Sequence, residues 1–261
     1  MNMAAELKST TEGSTMVLTL SNPGQRNALG PEIYAAGVEA LEGAENSPEV
    51  RCVVITGEGE WFCAGGSLPR LAANRQREPQ AQADSIDALH GWIDAIRTFP
   101  KPVVAAVEGA AAGAGFSLAL ACDFVVAARG AVFAASYSKV GLSPDGGLSW
   151  QLGRTVPRQL ASEWLMLGGR IDAERLHALG LVNQLADAGR ALEAALALAQ
   201  RLAQGAPNAL ASIKELLAEA PSTSIDAQML REREHFVRNL HHPNAGIGIA
   251  AFLDKRAPRY E

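Results

Sequence analysis

Cysteine is scarce in this chain of 261 residues: there are three, Cys52, Cys63 and Cys122. An odd number seated in apolar segments favours reduced thiols in the cytoplasm over a disulfide framework. No Cys/His spacing matches a zinc site, so no metal is expected. The pair His241-His242, just ahead of Pro243-Asn244-Ala245-Gly246, reads as a solvated loop. Long apolar runs are missing too. The apolar stretch without a charge between Glu108 and Asp123 is far short of the roughly 20 residues a membrane span needs. Met1 to Thr15 is polar and mixed, with no basic-then-apolar signal pattern. No basic run occurs, and a net charge of −5 gives nucleic acid nothing to bind. These absences describe a soluble, cytoplasmic protein with neither nucleic acid nor membrane as partner.

What is present is a set of short β-branched runs alternating with helical patterns, the signature of an α/β chain with a parallel-rich sheet. Strands are expected at Met16–Leu20, Val50–Thr56, Val103–Val107, Phe124–Ala127, Ala131–Ala134 and Leu181–Asn183. Helices are expected at Pro31–Glu42, Ser85–Arg97 and Ala111–Ala121, with Ala73–Ala83 as a mobile loop poor in apolar anchors. After Pro144 helical patterns take over, including Leu148–Thr155, Arg158–Leu167, Ala173–Leu179, Ala191–Ala203, Ala206–Ala218, Ile225–Leu240 and Gly246–Lys255. The division is a strand-containing core of residues 1–190 and a helical region of residues 191–261. The later helices carry apolar faces that need burial, so they do not form a separate domain.

Two small-residue segments follow strands directly: Phe62-Cys63-Ala64-Gly65-Gly66-Ser67-Leu68 and Ala111-Ala112-Gly113-Ala114-Gly115-Phe116-Ser117. Turns almost free of side chains let a ligand reach the backbone. The N–H groups at a helix start lack intrahelical acceptors and carry partial positive charge. Two such turns side by side would aim two N–H groups at one oxygen, as in an oxyanion hole. Tight strand–helix packing without chemistry is the other reading of each.

Among groups able to react there, Ser117 has no histidine in a neighbouring strand–turn context and no G-x-S-x-G around it, so it reads as a wall residue. Asp145, in Gly141-Leu142-Ser143-Pro144-Asp145-Gly146-Gly147, is either the N-cap of the next helix or a base. A helix N-terminus would lower its pKa; an apolar pocket with Trp150 or Leu142 nearby would raise it. His90 falls on a helix with Ile86, Leu89, Ile93 and Ile96 and reads as a partly buried structural histidine or a residue facing the site. Asp123 caps or anchors the turn after the Gly-rich helix. Tyr137 packs through its ring or reaches a ligand through its hydroxyl.

The segments Asn22-Pro23-Gly24-Gln25-Arg26-Asn27-Ala28-Leu29, Phe62-Cys63-Ala64-Gly65-Gly66 and Lys101-Pro102-Val103-Val104-Ala105-Ala106-Val107-Glu108-Gly109 stand in a specific order with three others. Those are Leu118-Ala119-Leu120-Ala121-Cys122-Asp123, Gly180-Leu181-Val182-Asn183 and Ala251-Phe252-Leu253-Asp254-Lys255-Arg256. Together they resemble the enoyl-CoA hydratase/isomerase (crotonase) superfamily over nearly the whole chain. The resemblance implies a spiral of repeated ββα units and a helical C-terminal part that builds a homotrimer or a dimer of trimers. It implies an acyl-CoA thioester substrate, with coenzyme A part of the substrate and no separate cofactor. By position, Gly66 and Ala114 would donate to the thioester oxygen. Arg26, Ala28, Leu29 and Ala64 align with positions that meet the CoA, and Phe252 and Lys255 with residues reaching it from a neighbouring subunit.

The departures are informative. Where hydratases of this family carry two glutamates, this chain has Ser117 and Tyr137. One carboxylate is left, Asp145, in a loop resembling that of ring-modified phenylacetyl-CoA isomerases; Leu142 belongs to the same loop. The resemblance therefore favours isomerisation of an unsaturated acyl-CoA, with Asp145 moving the proton. Three alternatives stand beside it. They are an enoyl-CoA hydratase, a hydrolase like the 4-chlorobenzoyl-CoA dehalogenases with His90 as assisting base (these have Trp where Tyr137 stands), and a CoA-binding protein without catalysis.

Overall fold

The β-branched runs become the central strands of a six-stranded sheet in the computed structural model, which describes residues 5–260. In chain order the strands are β1 (Glu6–Glu12), β2 (Thr15–Ser21), β3 (Cys52–Gly57), β4 (Val103–Val107), β5 (Ala110–Ala112), β6 (Phe124–Ala128), β7 (Val132–Ala134), β8 (Arg170–Asp172) and β9 (Gln184–Ala186). The large sheet runs β1-β2-β3-β4-β6-β9; β1 is antiparallel to β2 and the remaining pairings are parallel. A second sheet holds β5-β7-β8. From β4 onward the chain steps repeatedly from the large sheet to the small one and back, and the expected spiral of ββα units is present.

Strand alternation sends residues to opposite faces. Val53, Ile55, Val103, Ala105 and Val107 enter the main core with the helices α1 (Pro31–Asn46) and α3 (Pro79–Thr98). Cys52, Val54, Val104, Ala106 and Val126 face the other way, onto Ala195 and Ala199 of α8 (Ala191–Ala203). The small alanines let that helix lie close on the valines. The approach of α1 to α3 is also set by a small residue: a Cβ at Gly37 would stand 2.2 Å from Nε1 of Trp92. The remaining helices are α2 (Leu68–Asn74), α4 (Ala114–Ala121), α5 (Leu148–Thr155), α6 (Arg158–Leu167), α7 (Ala173–Ala178), α9 (Pro207–Glu219), α10 (Ile225–Leu240) and α11 (Pro243–Leu253). No helix among the described residues is long and apolar enough to cross a membrane.

Four expectations are corrected. The mobile loop at Ala73–Ala83 is largely helical: α2 ends at Asn74, and α3 starts at Pro79, six residues before Ser85. Its polar residues Arg75 to Glu78 are exposed in the turn between those helices, while Asn74 is buried at the end of α2. Of the helix expected from Ala111, the first two residues belong to β5, and the helix opens at Ala114 behind Gly113 at φ +51°. The strand expected at Leu181–Asn183 falls at Gln184–Ala186, while Asn183 Oδ1 accepts from Val125 N at 2.8 Å. The polar N-terminal segment contains β1, an edge strand exposed along most of its length.

Candidate active site

The two Gly-rich turns meet. Cys63 bridges to Ala111 and Leu29 to Gly66, so the turn after β3 is stitched both to β5 and to the Asn22–Leu29 segment. Gly65 shows how close they lie. With φ at +88°, a Cβ there would stand 2.6 Å from the Ala112 carbonyl oxygen and 3.2 Å from Ala114 N. Only glycine is accommodated. Gly66 follows it, and Ala114 is the first residue of α4. Among the described residues neither the Gly66 nor the Ala114 N–H donates to a protein acceptor. Both residues line one cavity of ≈ 480 Å³.

Asp145 enters that cavity from the loop before α5. The helix N-cap is Gly147, in the left-handed conformation and without a side-chain cap, so the capping reading of Asp145 is corrected. The carboxylate is held otherwise. Tyr137 donates its hydroxyl to Asp145 Oδ1 at 2.6 Å, and Ser117 Oγ donates to the Asp145 backbone carbonyl at 2.9 Å. Oγ of Ser117 and the Tyr137 oxygen lie 3.3 Å apart. Burial pushes the Asp145 carboxyl above its ordinary 3.8, and the Tyr137 hydrogen bond and nearby His90 oppose that rise. Tyr137 is held well above the usual phenol range, chiefly by burial and then by the charge of Asp145. It is a donor, not a base.

The loop has a second tether. The Gly146 N–H donates to His90 Nε2 at 3.3 Å, which gives this exposed histidine of α3 a role at the cavity rim. Gly146 itself, at φ +58°, has no room for a side chain: its Cβ would lie 2.7 Å from that of Ser117. Trp150, expected near Asp145, is turned away. It lies in a stack between the guanidinium groups of Arg97 and Arg154, at 4.9 and 4.4 Å from its ring.

Of the other expected site residues, Leu29, Ala64, Tyr137 and Leu142 line the cavity. Ser117 is fully buried behind Tyr137 and Asp145. Arg26 and Ala28 support the rim from outside: the Arg26 carbonyl accepts from Ala64 N at 3.0 Å, its guanidinium lies over Trp61, and Ala28 is buried. Phe252 and Lys255 are not brought to the cavity within one chain; Phe252 is 83 % exposed at the end of α11. Asp123 does anchor its turn, accepting from Val103 N at 2.8 Å and from Lys214 Nζ at 2.7 Å.

Sequence reasoning missed Tyr34. This residue of α1 lines the cavity at 5 % exposure, and both burial and the charge of Asp145 push its phenol far up. The available signal was a phenol between Ile33 and Gly37 on the buried face of an amphipathic helix.

Residues 10–261 match the family described as Enoyl-CoA hydratase/isomerase. The 1,2-epoxyphenylacetyl-CoA isomerase of Escherichia coli K12 is 35 % identical, over 95 % of each chain. The 2,3-dehydroadipyl-CoA hydratase of the same organism is 34 % identical over 98 % of this chain and 99 % of its own. A crystal structure of an enoyl-CoA hydratase from Polaromonas sp. JS666 superposes with a TM-score of 0.97 at 69 % identity. It covers 98 % of this chain and 100 % of that one. With its paired backbone turns, its spiral of strands and these relatives, the chain belongs to the enoyl-CoA hydratase/isomerase family of acyl-CoA enzymes and has the crotonase fold.

Proposed function

We propose that this enzyme isomerises an unsaturated acyl-CoA, moving a double bond through a thioester enolate. The observation that carries the reading is that Asp145 is the one acidic side chain lining the cavity among the described residues. Splitting and adding a water by the two-carboxylate route needs a base and an acid on either side of it. Moving a proton along an acyl chain needs one group that takes it and gives it back. Asp145 removes the proton from the carbon alpha or gamma to the thioester; the electron pair passes into the dienolate and onto the thioester oxygen. The Gly66 and Ala114 N–H groups, fixed before the charge develops, hold that oxygen. Asp145 then returns the proton to the other end, so that no atom is gained or lost. The carboxylate suits this work because burial raises its basicity while Tyr137 occupies Oδ1, leaving Oδ2 for the transfer. The resemblance to an epoxyphenylacetyl-CoA isomerase over nearly the whole chain points the same way.

The reaction needs no separate cofactor, since coenzyme A arrives as part of the substrate. Buried thiols at Cys52, Cys63 and Cys122 suit a reducing cytoplasm. Exposed Ile249, Phe252 and Leu253 on α11, with Phe236 and Leu240 on α10, suit a contact between three copies, through which Phe252 and Lys255 of one copy would meet the CoA of the next.

Asp145→Asn is the test. Solvent deuterium uptake into the acyl chain falls by about 10²- to 10⁴-fold, the usual weight of a general base, while acyl-CoA affinity changes little. Full exchange in the variant overturns the reading. A second reading, hydration, is favoured by the hydratase from Polaromonas at 69 % identity, with Tyr137 or His90 serving beside Asp145. Formation of the 3-hydroxyacyl-CoA from crotonyl-CoA, read by mass spectrometry as the gain of one water, would establish it.

A further inference from the structure

Tyr34 is a buried phenol of the cavity that the proton transfer leaves unused. It is 5 % exposed, with its ring 6.4 Å from that of Trp92, and it lines the cavity. Its hydroxyl makes no hydrogen bond to another described residue and borders the cavity. The ring is buried while the hydroxyl oxygen keeps access to the cavity, and phenylalanine would fill the same volume without placing a donor there. The neighbouring polar groups are engaged with one another: Tyr137 with Asp145, Gln82 with Asn74 and His90 with Gly146. Ser85, Ser136 and Ser143 also line the cavity without a side-chain partner, but Tyr34 is the buried one of these. Burial and the charge of Asp145 both keep its proton on oxygen, so it offers a donor.

We propose that Tyr34 determines specificity by donating a hydrogen bond to an oxygen that the acyl group carries beyond its thioester carbonyl. The preferred substrates are then acyl-CoA thioesters bearing a keto or ether oxygen, not plain hydrocarbon ones. A site built to bond a substrate oxygen rejects the analogue lacking it, because the site's own polar group is left unpaired. This deepens the acyl-CoA reading and rests on it.

The test compares cyclohexylacetyl-CoA with its ring-keto analogues, the carbonyl placed at each ring position in turn, by titration calorimetry. The wild-type enzyme binds at least one keto analogue about tenfold more tightly than the oxygen-free ring, the worth of one good hydrogen bond. In Tyr34→Phe that ratio falls to about one. Because the readout is a ratio within one protein, partial loss of folded enzyme does not produce it. No preference for any keto analogue in the wild type overturns the inference, as does a preference that persists in Tyr34→Phe. Asp145→Asn separates the two readings: it keeps the keto preference while losing proton exchange. If no thioester of the set binds, the acyl-CoA reading falls and the role of Tyr34 with it.

Discussion

Asp145 is pulled two ways, and the balance is measurable as stability. Its folded pKa is raised by burial, so the folded protein holds the proton more tightly than the unfolded chain does. The associated stability is therefore complete below the ordinary value of 3.8 and is lost as pH rises through the raised folded value. Above the raised value the buried, ionised carboxylate costs stability, a cost that the proposed proton transfer would require. Asp145→Asn, which cannot ionise, is expected to melt a few degrees above the wild type at about pH 7, and the gap should close toward about pH 4. A scanning-fluorimetry series against pH checks this; equal melting temperatures throughout would mean the burial cost is offset in place. The single carboxylate was legible in the sequence because two glutamates were missing. Its environment was not. The Gly147 cap, the Tyr137 bond and the distance to Trp150 depend on how a glycine-rich loop turns, and residue types leave that undetermined. Tyr34 went unseen for a related reason: a helix pattern identifies the buried face and does not separate side chains that fill the core from one that borders a cavity.

Elements buried on both faces were the easiest to read. β3 and β4 are continuous apolar runs because helices cover both sides of the sheet. β1 is the opposite case: an edge strand paired on one side to β2 needs little apolar patterning, and its sequence is polar. Long-range anchors between elements escaped as well. Lys214 of α9 donates to the carbonyls of Ile96 and Lys101 at 2.9 and 3.3 Å and to the Asp123 carboxylate at 2.7 Å. One ammonium thus joins the end of α3, the entry to β4 and the turn before β6. Lys214→Met is expected to lower unfolding stability by about 2–3 kcal/mol, the weight of hydrogen bonds made by a charged group. Chemical denaturation reads it, and Lys214→Met combined with Asp123→Asn should lose less than the two single changes summed. Strict additivity would mean the pair is not coupled.

For the whole molecule, the exposed apolar residues of α10 and α11 gather where the chain has least core of its own. Light scattering should give a particle of three or six chain masses. Phe252→Asp should shift it toward a single chain, and a monodisperse monomer for the unaltered protein would remove the partner from the CoA site. The placement of α8 has its own bearing on how the protein is made. Val17, Cys52, Val54, Val104 and Val126 form one face of the large sheet, and that face is covered by a helix that begins at Ala191. On the ribosome, the strands emerge in order while their cover is still untranslated. The nascent chain therefore carries an open valine-rich surface for most of its synthesis, and its exposure to aggregation is set by translation speed and chaperone access, ending only when α8 docks.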